Sequence, residues 1–381
     1  MASTGRILTT HVGSLPRPPA LLEVMRDRAE GRPYDAAALD RLLHDSVRAI
    51  VQQQVDAGID IVSDGELSKP SYSTYVTKRL SGFGGTSKID TPADLREFKA
   101  YAIHLVETGG IIPASGVECC QGPVVLKDDS ELKLDLANYR DAVDAVKPHA
   151  AFLTAPSPGV ISVFQKNRYY PSETAYIEAV ASAMRAEYEA IVAAGFILQI
   201  DSPDLAMGRH MPFAELDDAA FVTVVERNVA TLNEAVRNIP ADRMRMHVCW
   251  GNYEGPHHRD IALPKILDAV LRAKPAFLAL EGANPRHEHE WAAFRDVKLP
   301  DGKVLIPGVI DSTSNYIEHP ELVAQRLERY AGVVGRERVM AGTDCGFATF
   351  SGSPNVHPDL VWKKLESLVE GARIASGRLY G

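Results

Sequence analysis

Short apolar runs rich in β-branched residues alternate along this chain with longer stretches of helical period, and most of the runs end in a polar residue or a glycine. Eight runs are predicted as strands: Ile7 to Val12, Ile59 to Ser63, Ala151 to Thr154, Phe196 to Ile200, Met244 to Val248, Ala276 to Leu280, Val304 to Ile310 and Val339 to Gly342. Helices are predicted between them, for example over Ala38 to Ala57, where Leu39, Leu42, Leu43, Val47, Ile50 and Val51 share one face, and over Thr174 to Ala194. Repeated βα units of this number predict an α/β fold, a single (β/α)8 TIM barrel over residues 1–381. The placement of unusual residues supports the barrel more than the count does. Ser14, Asp64, Glu66, Asp201, His247, Cys249, Glu281, Asp311, Asp344 and Cys345 fall at or just beyond the C-terminal ends of different predicted strands, where barrel enzymes build their sites.

One stretch breaks the rhythm. Phe98 to Leu126 has two β-prone halves around Thr108-Gly109-Gly110 and is predicted as a β-hairpin inserted in the second βα unit. Cys119 and Cys120 lie in it. Adjacent residues of a strand face opposite ways, so the pair is read as structural rather than as two ligands of one ion.

Composition narrows the function classes. With 45% hydrophobic and 24% charged residues the chain reads as globular, and no apolar run is long enough to cross a bilayer. A formal charge of −9 without a dense Lys/Arg block argues against nucleic acid or an anionic membrane as partner, and for a small-molecule substrate. The first residues lack an apolar leader, so a cytoplasmic location is expected. Four cysteines are too few for a disulfide framework at this length. The oligomeric state is open, and a homo-oligomer is compatible with everything above.

The densest chemistry lies in Met246-His247-Val248-Cys249-Trp250 and, much later, Thr343-Asp344-Cys345-Gly346. Side chains two apart on a strand point the same way, so His247 and Cys249 can close on one Zn2+, which accepts imidazole and thiolate and favours four tetrahedral ligands. Cys345 and Glu281 are the candidates for the remaining positions. Glu281 ends the run Phe277-Leu278-Ala279-Leu280, and a carboxylate buried there needs a cationic partner, a metal or Arg286. His257-His258 and His287-Glu288-His289 lack the spacing of a helical metal pair and are expected at the rim of the site or in solvent.

Taken in order, these residues resemble the motifs of the cobalamin-independent methionine synthase family, specifically its zinc-bearing C-terminal barrel. His11-Val12-Gly13-Ser14-Leu15-Pro16-Arg17, Ser63-Asp64-Gly65-Glu66, Leu153-Thr154-Ala155-Pro156 and Gln199-Ile200-Asp201-Ser202-Pro203 carry the likeness, followed by the metal motifs. The resemblance implies that His247, Cys249, Glu281 and Cys345 are zinc ligands and that the metal binds the thiol of homocysteine as a thiolate. It further implies that Ser14 and its backbone hold the amino acid carboxylate, while Glu66 and Asp201 hold its ammonium and act in catalysis. The bland alternative for the two acids is pairing with Lys69 or Arg209.

The chain departs from the pattern where Asp311-Ser312-Thr313-Ser314 puts Thr313 in place of the family's proton-handling histidine, and Ser202 in place of a glutamate. The family's double-barrel members also have an N-terminal half that helps to bind the folate donor. The alkyl donor is therefore open between folate, a corrinoid, an epoxide and other carriers. The family also includes epoxyalkane:coenzyme M transferases. That reading would recruit Arg17, Lys69 or Arg286 for a sulfonate and leave Glu66 or Asp201 to orient water or the epoxide oxygen. A metal-free barrel related to uroporphyrinogen decarboxylase, or a binding protein without turnover, is the remaining alternative.

Overall fold

Seven strands run parallel in one curled sheet, and each is buried on both faces. The computed structural model describes residues 5–108, 116–352 and 355–381. In chain order the strands are β1 (Ile61–Val62), β2 (Phe83–Ser87), β3 (Val117–Cys120), β4 (Ala150–Pro156), β5 (Ile197–Asp201), β6 (Met244–Val248), β7 (Phe277–Leu280), β8 (Val304–Ile310) and β9 (Gly342–Thr343). The large sheet has the order β1-β4-β5-β6-β7-β8-β9. Residues 7–12, predicted as the first strand, make only single bridges, but they make them to both edges of the sheet: Thr10 to Ile61 and Thr9 to Ala341. The backbone bonds Thr10 N to Ala341 O at 2.9 Å and Ile61 N to Thr9 O at 3.1 Å join the edges through this segment. The result is a TIM-barrel-like fold.

Strand alternation sorts the core into two layers. Leu8, Ile61, Phe152, Ile197, Phe277, Ile306 and Met340 point inward and fill the lower barrel. Leu153, Leu198, Ile200, Met244, Met246, Val248, Leu278 and Leu280 point outward against the helices. Those helices include Ala36–Asp56, capped by the Asp35 carboxylate on Ala38 N, and Glu173–Ala193, capped by Ser172 on Ala175 N.

The predicted hairpin needs correction. The first half of the 98–126 stretch is a helix, Lys99–Glu107, preceded by the short helix Ala93–Glu97. Tyr101, Ala102 and Leu105 share a face that packs with Leu95 and Tyr253, so a helical period decided this segment over its β-branched content. Gly109 and Gly110, the predicted turn, lie outside the described residues. The second half is a strand, β3, but it pairs antiparallel with β2, which precedes the predicted hairpin. Cys119 and Cys120 are buried there, their thiols donating to the carbonyls of Gly84 at 3.3 Å and Gly122 at 3.4 Å, in keeping with a structural role. Among the described residues no helix is long and apolar enough to cross a membrane.

His11 sits inside the barrel, bonded to Gln54 Oε1 at 2.8 Å, and burial lowers its pKa to about 4. The unfolded chain takes up a proton near pH 6.5 that the folded chain refuses until about pH 4. The stability supplied by the neutral ring is therefore complete above pH 6.5 and is lost as pH falls toward 4. Replacing His11 with Gln is expected to remove on the order of 3 kcal/mol of the stability lost between pH 7 and 4. Denaturant titrations across that range check this, and equal losses in both proteins would refute it.

Candidate metal centre and active site

The register of the sheet assembles the site. Asp201 of β5 pairs with His247 of β6, and His247 with Ala279 of β7, so Asp201 and His247 stand side by side at the barrel mouth. Beneath His247, two residues earlier on the same face, Arg245 donates to Thr10 Oγ1 at 2.9 Å and His11 O at 2.7 Å, and stacks 4.1 Å over Phe152. Above it, Cys249 meets Cys345, which arrives on the loop after β9.

His247, Cys249 and Cys345 bring one donor atom each to within 4.8 Å of one another, and all three are buried. Neither ring nitrogen of His247 completes a hydrogen bond, which is costly for a buried imidazole that lacks another partner. Burial, then Arg245, lowers its pKa to about 3, although the Ala279 backbone favours the protonated form. The ring is therefore neutral, the form that ligates a metal. The two sulfurs are 3.8 Å apart. Two thiolates on one tetrahedral zinc, at roughly 2.3 Å each, would stand about 3.8 Å apart. The hydrogen bond to Cys345, and then burial, raises the Cys249 pKa well above that of an ordinary thiol, so only a cation can hold both sulfurs ionised. The residues fit zinc.

Glu281 lies behind Cys249, outside that three-atom group. Its oxygens accept from Trp250 N at 2.7 Å and Asn284 Nδ2 at 2.8 Å, and not from Arg286, which is exposed. Burial first, then Cys249, raises its pKa well above the carboxylate range. The Asp344 carboxylate holds the loop that carries Glu281, accepting from the backbone N of Gly282, Ala283 and Asn284 at 2.8 Å each and from Asn284 Nδ2 at 2.9 Å. Gly346 is required next to Cys345, because a Cβ there would fall on the Ser14 hydroxyl.

Glu66 and Asp201 open on the same cavity, of about 1060 Å³, as His247, Cys249, Cys345 and Ser14. Glu66 has a positive φ of 57°, a strained backbone for a non-glycine residue, held by the Asp64 carboxylate on its N–H at 3.0 Å. Glu66 Oε2 is buried without a hydrogen-bond partner. Burial raises both acids, and for Asp201 the Glu66 charge is the next cause. Two buried carboxylates that disfavour each other's ionisation make a receptor for a cation.

Three expected site residues do not reach the cavity. Arg17 spends its guanidinium on the carbonyls of Glu66, Lys69, Leu67 and Ala348, at 2.7 to 3.3 Å. Lys69 donates to Thr154 O at 2.6 Å and Thr154 Oγ1 at 2.9 Å. Thr313 is half-buried, its hydroxyl on Asp311 Oδ1 at 2.8 Å. Arg209, the bland partner for the acids, binds Asp218 instead.

Two further neighbours of the site, Tyr72 and Asn252, were not singled out in the sequence. Tyr72 lines the cavity. Asn252 ties three loops together, donating to Gly346 O at 2.8 Å and accepting from Ser312 Oγ at 2.9 Å. His257 and His287 are neither at the rim nor in solvent: both hold Asp260 Oδ2, at 2.8 and 2.9 Å, and His287 stacks 4.2 Å from Trp250. Their partner Asp260 raises them to about 9 and about 10 against the opposing effect of burial. An acid three residues on, Asp260 after His257 and Glu290 after His287, was the only signal in the sequence. His258 and His289 are exposed, as expected.

Replacing Asp344 with Ala strands four donors of the Glu281 loop, and a loss of about 3 kcal/mol or more is expected in thermal or denaturant unfolding. A variant as stable as the parent would show that the clamp does not hold the loop.

Comparison with known proteins fits this geometry. Residues 97–369 match the family model described as the catalytic domain of cobalamin-independent synthase. A methionine synthase of Saccharolobus islandicus is 26% identical over 377 residues, covering 97% of this chain and 95% of that protein. One from Sulfolobus acidocaldarius is 25% identical over 377 residues, covering 97% of this chain and 93% of the other. The structure of a B12-independent methionine synthase from a Shewanella species, in complex with selenomethionine, superposes with a TM-score of 0.75 at 20% identity over 98% of this chain and 99% of its own. The chain therefore belongs to the cobalamin-independent methionine synthase family.

Proposed function

We propose that the chain is a (β/α)8 barrel enzyme that transfers a methyl group to the sulfur of homocysteine in a zinc-dependent reaction, giving methionine. The observation that carries this reading is the presence, in one cavity, of the His247, Cys249 and Cys345 donors and the Glu66 and Asp201 carboxylates. His247, Cys249 and Cys345 would hold zinc, with Glu281 behind Cys249 supplying a fourth ligand when no substrate sulfur takes that position. Bound zinc replaces the proton on the acceptor sulfur near neutral pH while leaving it nucleophilic.

The protein's own groups select the acceptor. Glu66 and Asp201 bind an ammonium, and the two raised carboxylates gain most from a cation placed between them. The Ser14 hydroxyl already accepts from Ala348 N at 3.3 Å, so it is free to donate to a carboxylate. The name methionine synthase, carried by the relatives, points to the same acceptor. A sulfonate-bearing thiol such as coenzyme M is disfavoured, because among the described residues no Lys or Arg lines the cavity.

Metal analysis of the purified protein is expected to give about one zinc per chain. Cys249→Ser and Cys345→Ser should each lose most of it. Zinc-edge absorption should gain one sulfur on adding homocysteine and none with coenzyme M. Failure to bind zinc, or full activity in both Ser variants, would overturn the reading. Glu66→Gln and Asp201→Asn are each expected to lower kcat/KM for homocysteine by roughly 10- to 100-fold, mainly through KM. An unchanged KM would remove these acids from substrate binding.

A further inference from the structure

The cavity is much larger than an amino acid thiol requires, and the part beyond the acceptor has a distinct chemistry. Tyr72, Phe164 and Phe350 form an aromatic corner: the Tyr72 ring lies 5.9 Å from Phe164 and 6.0 Å from Phe350, at interplanar angles of 88° and 71°. All three line the cavity with the thiols. The corner is braced, because Ser71 bridges Phe350 antiparallel and Ser351 N donates to Pro70 O at 2.9 Å. Tyr72 is near enough to the site that the charges of Cys249, Cys345 and Asp201, after burial, raise its hydroxyl well above the ordinary phenol value.

The wall has one sign of charge. Glu66, Asp201, Asp90 and Glu107 line it, Asp90 being shared with Lys166 at 2.8 Å, and among the described residues no Lys or Arg does. Nor, among them, does any histidine other than His247. A donor with an anionic tail would meet no lining Lys or Arg among the described residues, Lys166 being taken by Asp90, and a leaving group that needs a proton would meet no lining imidazole but that of His247. Three rings set at steep angles to one another, with Asp201 near enough to act on Tyr72, instead suit a desolvated organic cation.

We propose that the Tyr72, Phe164 and Phe350 corner binds the methyl donor, and that this donor is an onium cation, its methyl group carried on a sulfonium sulfur or a quaternary nitrogen. The inference rests on the reading of the site as a thiol methyltransferase. The acceptor's thiol proton goes to water when the thiolate forms. The sulfur then attacks the methyl carbon, and the new S–C bond forms as the bond from methyl to the onium atom breaks. The bonding pair stays on that atom, which leaves as a neutral thioether or tertiary amine. Donor and thiolate charges cancel, so no proton is delivered to the leaving group.

Calorimetric titration of the full zinc-loaded chain with trimethylsulfonium and, separately, tetramethylammonium tests the corner directly and tells the two sources of the cation apart. Saturable binding of at least one is expected. Tyr72→Leu and Phe350→Leu should each weaken it about tenfold or more, while Tyr72→Phe, which keeps the ring face, should retain it. The cation that binds should also give methionine with homocysteine. Absence of saturable binding, indifference to both Leu substitutions, or methionine formed only from methyltetrahydrofolate would overturn the proposal. If the onium ion binds through Tyr72 but homocysteine adds no sulfur to the zinc shell, the acceptor assignment fails and the ligand class of the corner stands.

Discussion

An excess of buried negative charge at the barrel mouth is the constraint on which the rest of this structure depends. Cys249, Cys345, Glu281, Glu66 and Asp201 are all buried at the C-terminal ends of strands or on the loops that follow them. Burial disfavours the ionised forms of Glu281, Glu66 and Asp201, and the Cys345 hydrogen bond and then burial that of Cys249, so the fold keeps the group together by supplying cations or by spending hydrogen-bond donors on it. Arg245 is the nearest fixed cation below. Two of its guanidinium nitrogens donate to Thr10 and His11 rather than to an acid, and its field acts on Asp201 and His247 above it. The donors go chiefly to Glu281 and Asp344, which together accept from four backbone amides. Glu66 has the charges of Lys69 and Arg17 beside it but no hydrogen-bond partner for its Oε2, and the two thiols have only each other and the Gly251 amide close by.

The same constraint explains local backbone geometry that would otherwise be gratuitous. Asp344 reaches the β7 loop only because β8 comes close to it, and the approach is so tight that a Cβ at Gly308 would lie 2.7 Å from the Asp344 backbone nitrogen. Gly13 similarly leaves room for the Glu66 carboxylate, which reaches the mouth from a residue with positive φ. Small residues therefore lie beside the charged ones rather than in the turns alone. Each removes a side chain so that a carboxylate or thiol can be held against backbone.

Much of this was legible from residue order. β6 and β8 were predicted to the residue, and β4, β5 and β7 to within two at either end, because strands buried on both faces are short, apolar and bounded by polar ends. That His247 and Cys249 share one face at the end of β6 followed from strand alternation. The long cations were harder. Arg17 and Lys69 beside the acidic motif suggested anion binders, yet a buried cation can be satisfied by carbonyls, and carbonyl positions are set by loop conformation rather than residue type. For the same reason Thr313 could be placed on the right loop, while its hydroxyl's choice of Asp311 over the cavity could not be read. Lys99–Glu107 was missed because β-branched content and a Gly-Gly pair outweighed a helical period only two turns long.

The segment that precedes β3 joins the outer cavity to the loop after Cys249. Its helices are tied to the loop that follows Cys249: Asp94 Oδ2 accepts from Tyr253 Oη at 2.7 Å and His257 N at 2.9 Å, and Tyr101 Oη donates to Glu254 O at 2.7 Å. His257 continues to Asp260, and from there His287 leads to Trp250, the residue next to Cys249. The wall of the outer cavity and the Cys249 strand end are thus joined by one chain of contacts, in which Asp260 raises the pKa of two histidines against the opposing effect of burial. The inserted segment lines the outer cavity, while the barrel register itself sets Asp201 beside His247.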